Sequence, residues 1–401
     1  MPSEARPQAG SPAALAEIER RLAALERAIA GRQPSTTPEW AEPRWYEPTV
    51  QLALGKLLRL GDLAFDVGAN IGVIAAMMGA AVGPYGRVVA FEASPRTIGQ
   101  LHVNLNNSNA FNVSVLHAAV ADRSGGLLPI FYGADTPADS IFTSGERQPD
   151  DYVPSIALDD YVERLGVAPR VVKIDVEGAE LLALQGFRRT LARHHPALII
   201  ETLSTDLALD ELLQSVGYDL CVDVASLARF EKRGITDLYL RNLLYLHESE
   251  DRGAVFRSDR RAEVARFGAG DLIERAEELH LDLGTLPPGL YVLRLDYSPA
   301  VAAIEDNAEL RLGSPRRLHA MYIAPLWHLA VGYSAIPFEL PREMPASVSF
   351  RRIAAETVRG VLPAVRLERL EEDTNARRPV EKRPARRGAV EGGGAQGKAG
   401  R

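Results

Sequence analysis

The chain has 401 residues, enough for two domains with sizeable cores, and its apolar and charged fractions are those of a soluble globular protein. A formal charge of −7, from 53 acidic and 46 basic side chains, excludes a nucleic-acid binder with a basic surface all round, and no nucleic-acid partner is expected. The single cysteine, Cys221, rules out an intrachain disulfide and a cysteine zinc centre.

No apolar run reaches membrane-spanning length and no signal-peptide pattern opens the sequence, so a cytoplasmic protein is expected. Residues 1–38 divide into a Pro- and Gly-rich start, a short helix and a breaker-rich linker from Gly31. In the helix, Leu15, Ile18, Leu22, Leu25 and Ile29 repeat in steps of three and four, a heptad seam about two heptads long. Two partners suit that seam: the body of the protein, or a second chain in a homo-oligomer. Pro48 then opens a helix predicted to run to Leu60, with Gly61 ending it.

The most informative stretch runs from Leu63 to Pro95. Leu63-Ala64-Phe65 is a buried strand ending on Asp66. A turn, Gly68-Ala69-Asn70-Ile71-Gly72, leads into a helix, and Arg87 to Phe91 is a second strand ending on Glu92. This βαβ unit is suited to a nucleoside. Gly68 and Gly72 allow close backbone approach, the amides of the turn face an anion, and Glu92 is placed to accept hydrogen bonds from ribose hydroxyls. The dinucleotide fingerprint needs glycine where Asn70 stands, which disfavours a dehydrogenase.

Pro95 to Asn107 reads as a helix and Val113 to Leu116 as a third strand, ending near His117. Residues 126–155 form an inserted loop or hairpin, of a length that usually marks a functional lid or a disordered segment. Val171 to Ile174 is a buried strand ending on Asp175, followed by Glu177, and Ala197 to Ile200 is another ending on Glu201.

The acid two residues before the first glycine, in Asp66-Val67-Gly68, resembles the first motif of class I S-adenosylmethionine-dependent methyltransferases. The set DVGANIG, FEASP, ALDDYV, KIDVEGAE and LQGF, with the strand before Glu201, resembles the FkbM-type methyltransferases over Leu63 to His247. The resemblance implies a Rossmann-like α/β domain with a seven-stranded, mostly parallel sheet whose last strand is antiparallel. It implies S-adenosyl-L-methionine as methyl donor and an O-methyltransferase acting on a hydroxyl of a sugar, glycan or polyketide-type small molecule. It also suggests Asp122 as the acid contacting the adenine amino group, although a turn aspartate before Gly125 explains that residue too. The rival is a glycan-binding or assembly protein with a degenerate domain, against which stand intact Asp66, Gly68, Glu92 and Asp175.

An alcohol is a poor nucleophile near neutral pH and gains from a general base or a metal. Candidates are Asp175, Glu177 and Glu201 at neighbouring strand ends. Three such acids suit a hard cation such as Mg²⁺, but the metal-free version, in which Asp175 orients the donor and another acid is the base, is preferred. Lys173, on the same strand face as Asp175, is either an ion-pair partner or catalytic. His117, His194 and His195 are weaker candidates.

The catalytic domain is expected over 39–250, a linker over 251–278, and a separate domain over 279–371. There, alternation at Tyr291, Leu293 and Leu295 and several short runs beyond predict a β-sandwich of jelly-roll type with its own core, expected to add acceptor affinity. Trp327, Tyr322 and Tyr333 are core aromatics or sugar-stacking platforms. Residues 372–401 form a basic, Gly-rich tail expected to be disordered.

Overall fold

The computed structural model describes residues 46–371, apart from 134–138, 143–146, 204, 234–239, 251, 259, 276–277, 297–306, 315–316, 326–332 and 352–363. The heptad helix, the basic tail and Trp327 therefore lie outside the described residues, as do the side chains of Tyr322 and Tyr333.

The first helix, α1, spans Pro48–Leu57, with proline in its first turn where the missing N–H costs nothing. It is followed by β1 (Leu63–Val67), a helix over Val73–Val82, β2 (Arg87–Glu92), a helix over Pro95–Asn107, and β3 (Val113–His117). The insertion contributes β4 (Ala119–Val120), β5 (Leu127–Ile130) and β6 (Asp151–Ile156), and β5 and β6 pair as the expected hairpin. Then come β7 (Val171–Ile174), β8 (Ala197–Leu203), β9 (Tyr218–Asp223), β10 (Ala228–Arg229) and β11 (Leu240–His247), with helices between them.

The main sheet has the order β10-β9-β11-β8-β7-β1-β2-β3. Strands β3, β2, β1, β7 and β8 are parallel, whereas β11 runs antiparallel to both β8 and β9. The expected seven strands are thus joined by an eighth, and the sheet is mixed. The extra strand, β10, has two residues pairing with the end of β9, too short to leave a periodic signal. Helices cover both faces, and the central strands are mostly buried; β1 is buried at every position, Asp66 included.

Residues 251–278, expected as a linker, instead hold a short helix over Ala254–Arg257 and strands β12 (Arg261–Phe267) and β13 (Ile273–Arg275). The sequence Arg-Ala-Glu-Val-Ala-Arg-Phe carries too much charge to read as a strand, but β12 is an edge strand pairing only with the last strand of the sandwich. The remaining strands are β14 (Glu278–Leu286), β15 (Gly289–Asp296), β16 (Asn307–Ser314), β17 (Arg317–Pro325), β18 (Tyr333–Leu340), β19 (Met344–Arg351) and β20 (Ala364–Leu370). They form two antiparallel sheets, β12-β20-β15-β18 and β13-β14-β19-β16-β17.

Between those sheets lies an apolar core that includes Tyr291, Leu293, Leu295, Leu310, Phe338, Val348 and Leu367. The alternation of β15 has a second consequence. Leu290 and Val292, on its other face, join Ala335 and Leu370 in a cluster with Leu54, Leu57 and Phe256 of the α/β domain. The sandwich has its own core and also closes one face of the α/β core. Lys56 of α1 forms an ion pair with Glu339, and Arg261 donates to the carbonyl of Ser226 at 3.1 Å, fixing that contact.

Candidate active site

The carboxyl ends of β1, β2 and β7 open into a cleft lined by Tyr46, Gly68, Asn70, Glu92, Asp175 and Glu177. Its floor is the glycine turn. Gly68 has φ +81°, and a Cβ there would lie 1.6 Å from the carbonyl oxygen of Asp175, so only glycine lets β1 turn this close to β7. Asn70 follows in the left-handed region at φ +48°, and its N–H donates to Glu92 Oε2 at 2.6 Å. Ser94 N–H donates to Glu92 Oε1, also at 2.6 Å. Glu92 is buried, which raises its carboxyl despite these amides.

The structure draws the expected acids of β7 and β8 together. One carboxylate oxygen from each of Asp175, Glu177 and Glu201 lies within 4.8 Å of the others. Beneath them Lys173, 2% exposed, places Nζ 2.7 Å from Asp175 Oδ2 and 3.3 Å from Glu47 Oε2. Burial alone would lower this ammonium, but Asp175, Glu47 and Asp66 outweigh it and hold Lys173 well above its ordinary value. Lys173 is a buried cation in an acidic nest. Glu177 stands at the mouth at φ +51°, its carboxyl pushed up to about 7 by partial burial, then by Asp175 and Glu180. Glu201 is pushed up to about 9 by burial, then by Asp175 and Glu47, so it carries its proton at neutral pH.

Asp66 is fully buried and does not line the cleft. It lies opposite Lys173 in the ladder, and neither carboxylate oxygen has a hydrogen-bond donor among the described residues. Burial pushes its carboxyl up to about 7 against the pull of Lys173. Gly72 ends the turn at φ +82°, against Leu101, where it packs the following helix onto the sheet. Asp122 is exposed, 3.4 Å from its neighbour Arg123, and outside the cleft lining. His117 is exposed against the carbonyl of Ala93, and His195 stacks on His247 at 3.6 Å at the opposite end of the sheet. Cys221 is half-buried with its thiol pushed up to about 12 by burial, as an inert core cysteine should be.

Sequence reasoning missed Tyr46 and Glu47. Tyr46 lines the cleft, and Glu47 is drawn in through Lys173 and through Asn242 Nδ2, at 3.4 Å. Asn242 stands opposite Glu201 in the ladder and reaches its Oε1 at 3.4 Å. A signal existed: a tyrosine and an acid immediately before the proline that opens α1. Glu47 sits at φ 44°, ψ 55°, a strained choice for a residue before proline. The insertion also reaches the site, since Asp139 accepts from Ser94 Oγ at 2.6 Å and Ser140 Oγ donates to the Glu177 carbonyl at 2.8 Å.

The cleft suits S-adenosylmethionine on three observations. Glu92 stands on its lining at a strand end, the glycine turn brings the backbone of Gly68 and Asn70 to its wall, and the carboxyls of Asp175 and Glu177 on the same lining would be offset by a cationic ligand.

Residues 66–220 match the model of the methyltransferase FkbM domain. Among solved structures, the chain is similar to an FkbM methyltransferase from Methylobacillus flagellatus at 22% identity, covering 57% of this chain and 60% of that one, with a TM-score of 0.35. It thus spans about 60% of the length of that relative. A fibrillarin from Aeropyrum pernix in complex with natively bound S-adenosyl-L-methionine is 13% identical over 49% of this chain and 73% of that one, TM-score 0.31. For an S-adenosylmethionine-dependent O-methyltransferase from Thermotoga maritima the values are 14%, 52%, 67% and 0.33. No curated protein sequence matches the chain. Asp66, Gly68, Glu92, Asp175, Glu177 and Glu201 all fall inside residues 66–220, the stretch of this chain that matches the model of the methyltransferase FkbM domain.

Proposed function

We propose that the protein is an S-adenosylmethionine-dependent O-methyltransferase whose acceptor is a hydroxyl of a sugar, glycan or polyketide-type molecule. The observation that carries this reading is the meeting of the Asp175, Glu177 and Glu201 carboxyls at the mouth of the cleft, with Glu177 exposed to an incoming hydroxyl. With its carboxyl pushed up to about 7, Glu177 is about half in its base form near neutral pH and is matched to taking a proton from an alcohol there. S-Adenosylmethionine supplies a methyl group on a positively charged sulfur.

The chain's residues take the remaining roles. Glu92 receives the ribose hydroxyls, and the apolar end formed by Phe91, Val120 and Ile130 receives the adenine, with Asp122 beyond its rim as acceptor for the amino group. Asp175, clamped by Lys173, orients the donor's ammonium group. Glu201, neutral at pH 7, offers a hydrogen-bond donor to Asp175 where a further negative charge would repel it. Phe142 and Tyr152, 53% and 59% exposed on the inserted segment, offer faces on which an acceptor ring can stack.

The 4.8 Å cluster of acids gives a second reading, a hard cation held by Asp175, Glu177 and Glu201. Lys173 already supplies positive charge 2.7 Å from Asp175, which favours the metal-free arrangement. The test is calorimetric titration of the full chain with S-adenosylmethionine and with NAD, then transfer of labelled methyl to neutral sugars and polyols with and without EDTA. Failure to bind S-adenosylmethionine would sink the donor assignment, transfer to nitrogen alone the O-specificity, and loss of turnover in EDTA the metal-free version.

A further inference from the structure

Among the described residues, the three most exposed large apolar side chains are Tyr85 (94%), Leu60 (80%) and Phe111 (80%). They are far apart in sequence but occupy the loops that enter β2, β1 and β3, three adjacent strands. Those loops are braced to one another. Gly61 N–H donates to the carbonyl of Val82 at 2.9 Å, Val88 N–H to that of Asn112 at 3.0 Å, and the Asn112 amide to the carbonyls of Gly79 and Gly83 at 2.8 and 2.9 Å. In the turn before β7, the next strand along, Val167 is 52% exposed, and Arg170 N–H donates to the carbonyl of Leu63 at 2.8 Å. Single exposed apolar residues are ordinary; a row of them on a rigid platform is not.

The charge of the same loops is one-sided. Segments 58–61, 83–87, 108–112 and 166–170 contain Arg59, Arg87 and Arg170 and no acid, in a chain whose formal charge is −7. The adjoining Asp62 is buried and paired with Arg252. We propose that this amino-terminal end of the sheet docks on an anionic lipid surface. Tyr85, Phe111, Leu60 and Val167 enter the headgroup boundary, and the arginines meet lipid phosphates. A second copy of the chain is a poorer fit, because a two-fold contact would set arginine against arginine. No described helix is long and apolar enough to cross a membrane, so the contact is peripheral. The cleft lies at the opposite ends of the same strands and would face water while the protein is docked.

The test uses the full chain and sedimentation with phosphatidylcholine vesicles, with and without about 30 mol % phosphatidylserine. Binding is expected to the anionic vesicles, to fall at least about tenfold on neutral ones, and to weaken in about 1 M salt, where the screening length is about 3 Å. The triple variant Leu60→Ser, Tyr85→Ser, Phe111→Ser should lose binding by about tenfold or more, with unchanged donor titration and circular dichroism showing that it folds. Arg87→Glu with Arg170→Glu, which leaves the apolar tips in place, should lose the preference for anionic lipid. Absence of binding to either vesicle, or equal binding by wild type and both variants, would overturn the proposal. So would a dimer in solution that the triple variant converts to monomer, which would make the patch a contact between copies.

Discussion

The two halves of the molecule treat buried charge in opposite ways. The α/β domain buries Asp66, Glu92, Asp159, Lys173, Glu180 and Lys232, whereas the buried polar side chain of the sandwich, among the described residues, is Ser349. Both halves have close-packed apolar cores, so packing alone does not require the charges. Burying a carboxylate costs several kcal/mol unless it is paired, and Asp66 lacks even a hydrogen-bond donor. Among its described residues the sandwich is free of that cost. The α/β domain carries it at Asp66 and Glu92, near the ends of β1 and β2, where a cationic donor would offset it.

The sharpest way to break this division is at the shared face. Val292→Asp would bury an unpaired carboxylate between the halves and should destabilise the whole chain by about 4 kcal/mol or more. Val264→Asp, at a position 44% exposed, should cost less than about 0.5 kcal/mol. Chemical denaturation of both variants checks the pair, and loss of the sandwich alone from the first would show that the halves fold separately.

Glu177→Gln should lower kcat by about 10²–10⁴-fold while leaving donor affinity and sandwich stability unchanged. In the wild type the base form grows as pH rises, so kcat should climb and level off above about 7. The variant should lack that rise, and a pH–rate profile checks it.

Glu92→Ala should weaken donor binding by about 2–5 kcal/mol, read by calorimetry, through loss of two hydrogen bonds to a charged acceptor. Affinity within twofold of wild type would remove Glu92 from the ribose.

The last effect concerns stability. Glu201 holds its proton more tightly when folded, so its contribution is full below its ordinary value of 4.5 and is lost as pH rises toward about 9. Glu201→Gln should therefore raise Tm at pH 9, with little change at pH 4, in thermal scans at both values.

Much of the α/β domain was legible because its signals are local. Apolar runs ending on Asp66, Glu92, Asp175 and Glu201, each followed by turn or helix residues, mark strands whose ends face one side in a parallel sheet. Gly68 was readable for the same reason, since a turn directly after a strand needs a residue that tolerates positive φ. The alternation of Tyr291, Leu293 and Leu295 likewise marked a strand with an apolar face.

Local pattern could not show what a distant segment brings. Glu47 meets Lys173 only because α1 packs over the sheet, and Asn242 meets Glu201 only through the antiparallel ladder. The charged strand β12 gained its identity from β20, about a hundred residues away. Val292, on the face of its strand opposite Tyr291 and Leu293, is buried because that face meets Leu54 and Leu57. Sequence alone determined the strands, the glycine turn and the acids at the strand ends, because those depend on period and backbone sterics. Tertiary structure decided which carboxylates share one site, how far burial raises them, and that two domains close a common core, because those depend on distance and desolvation between segments far apart in the chain.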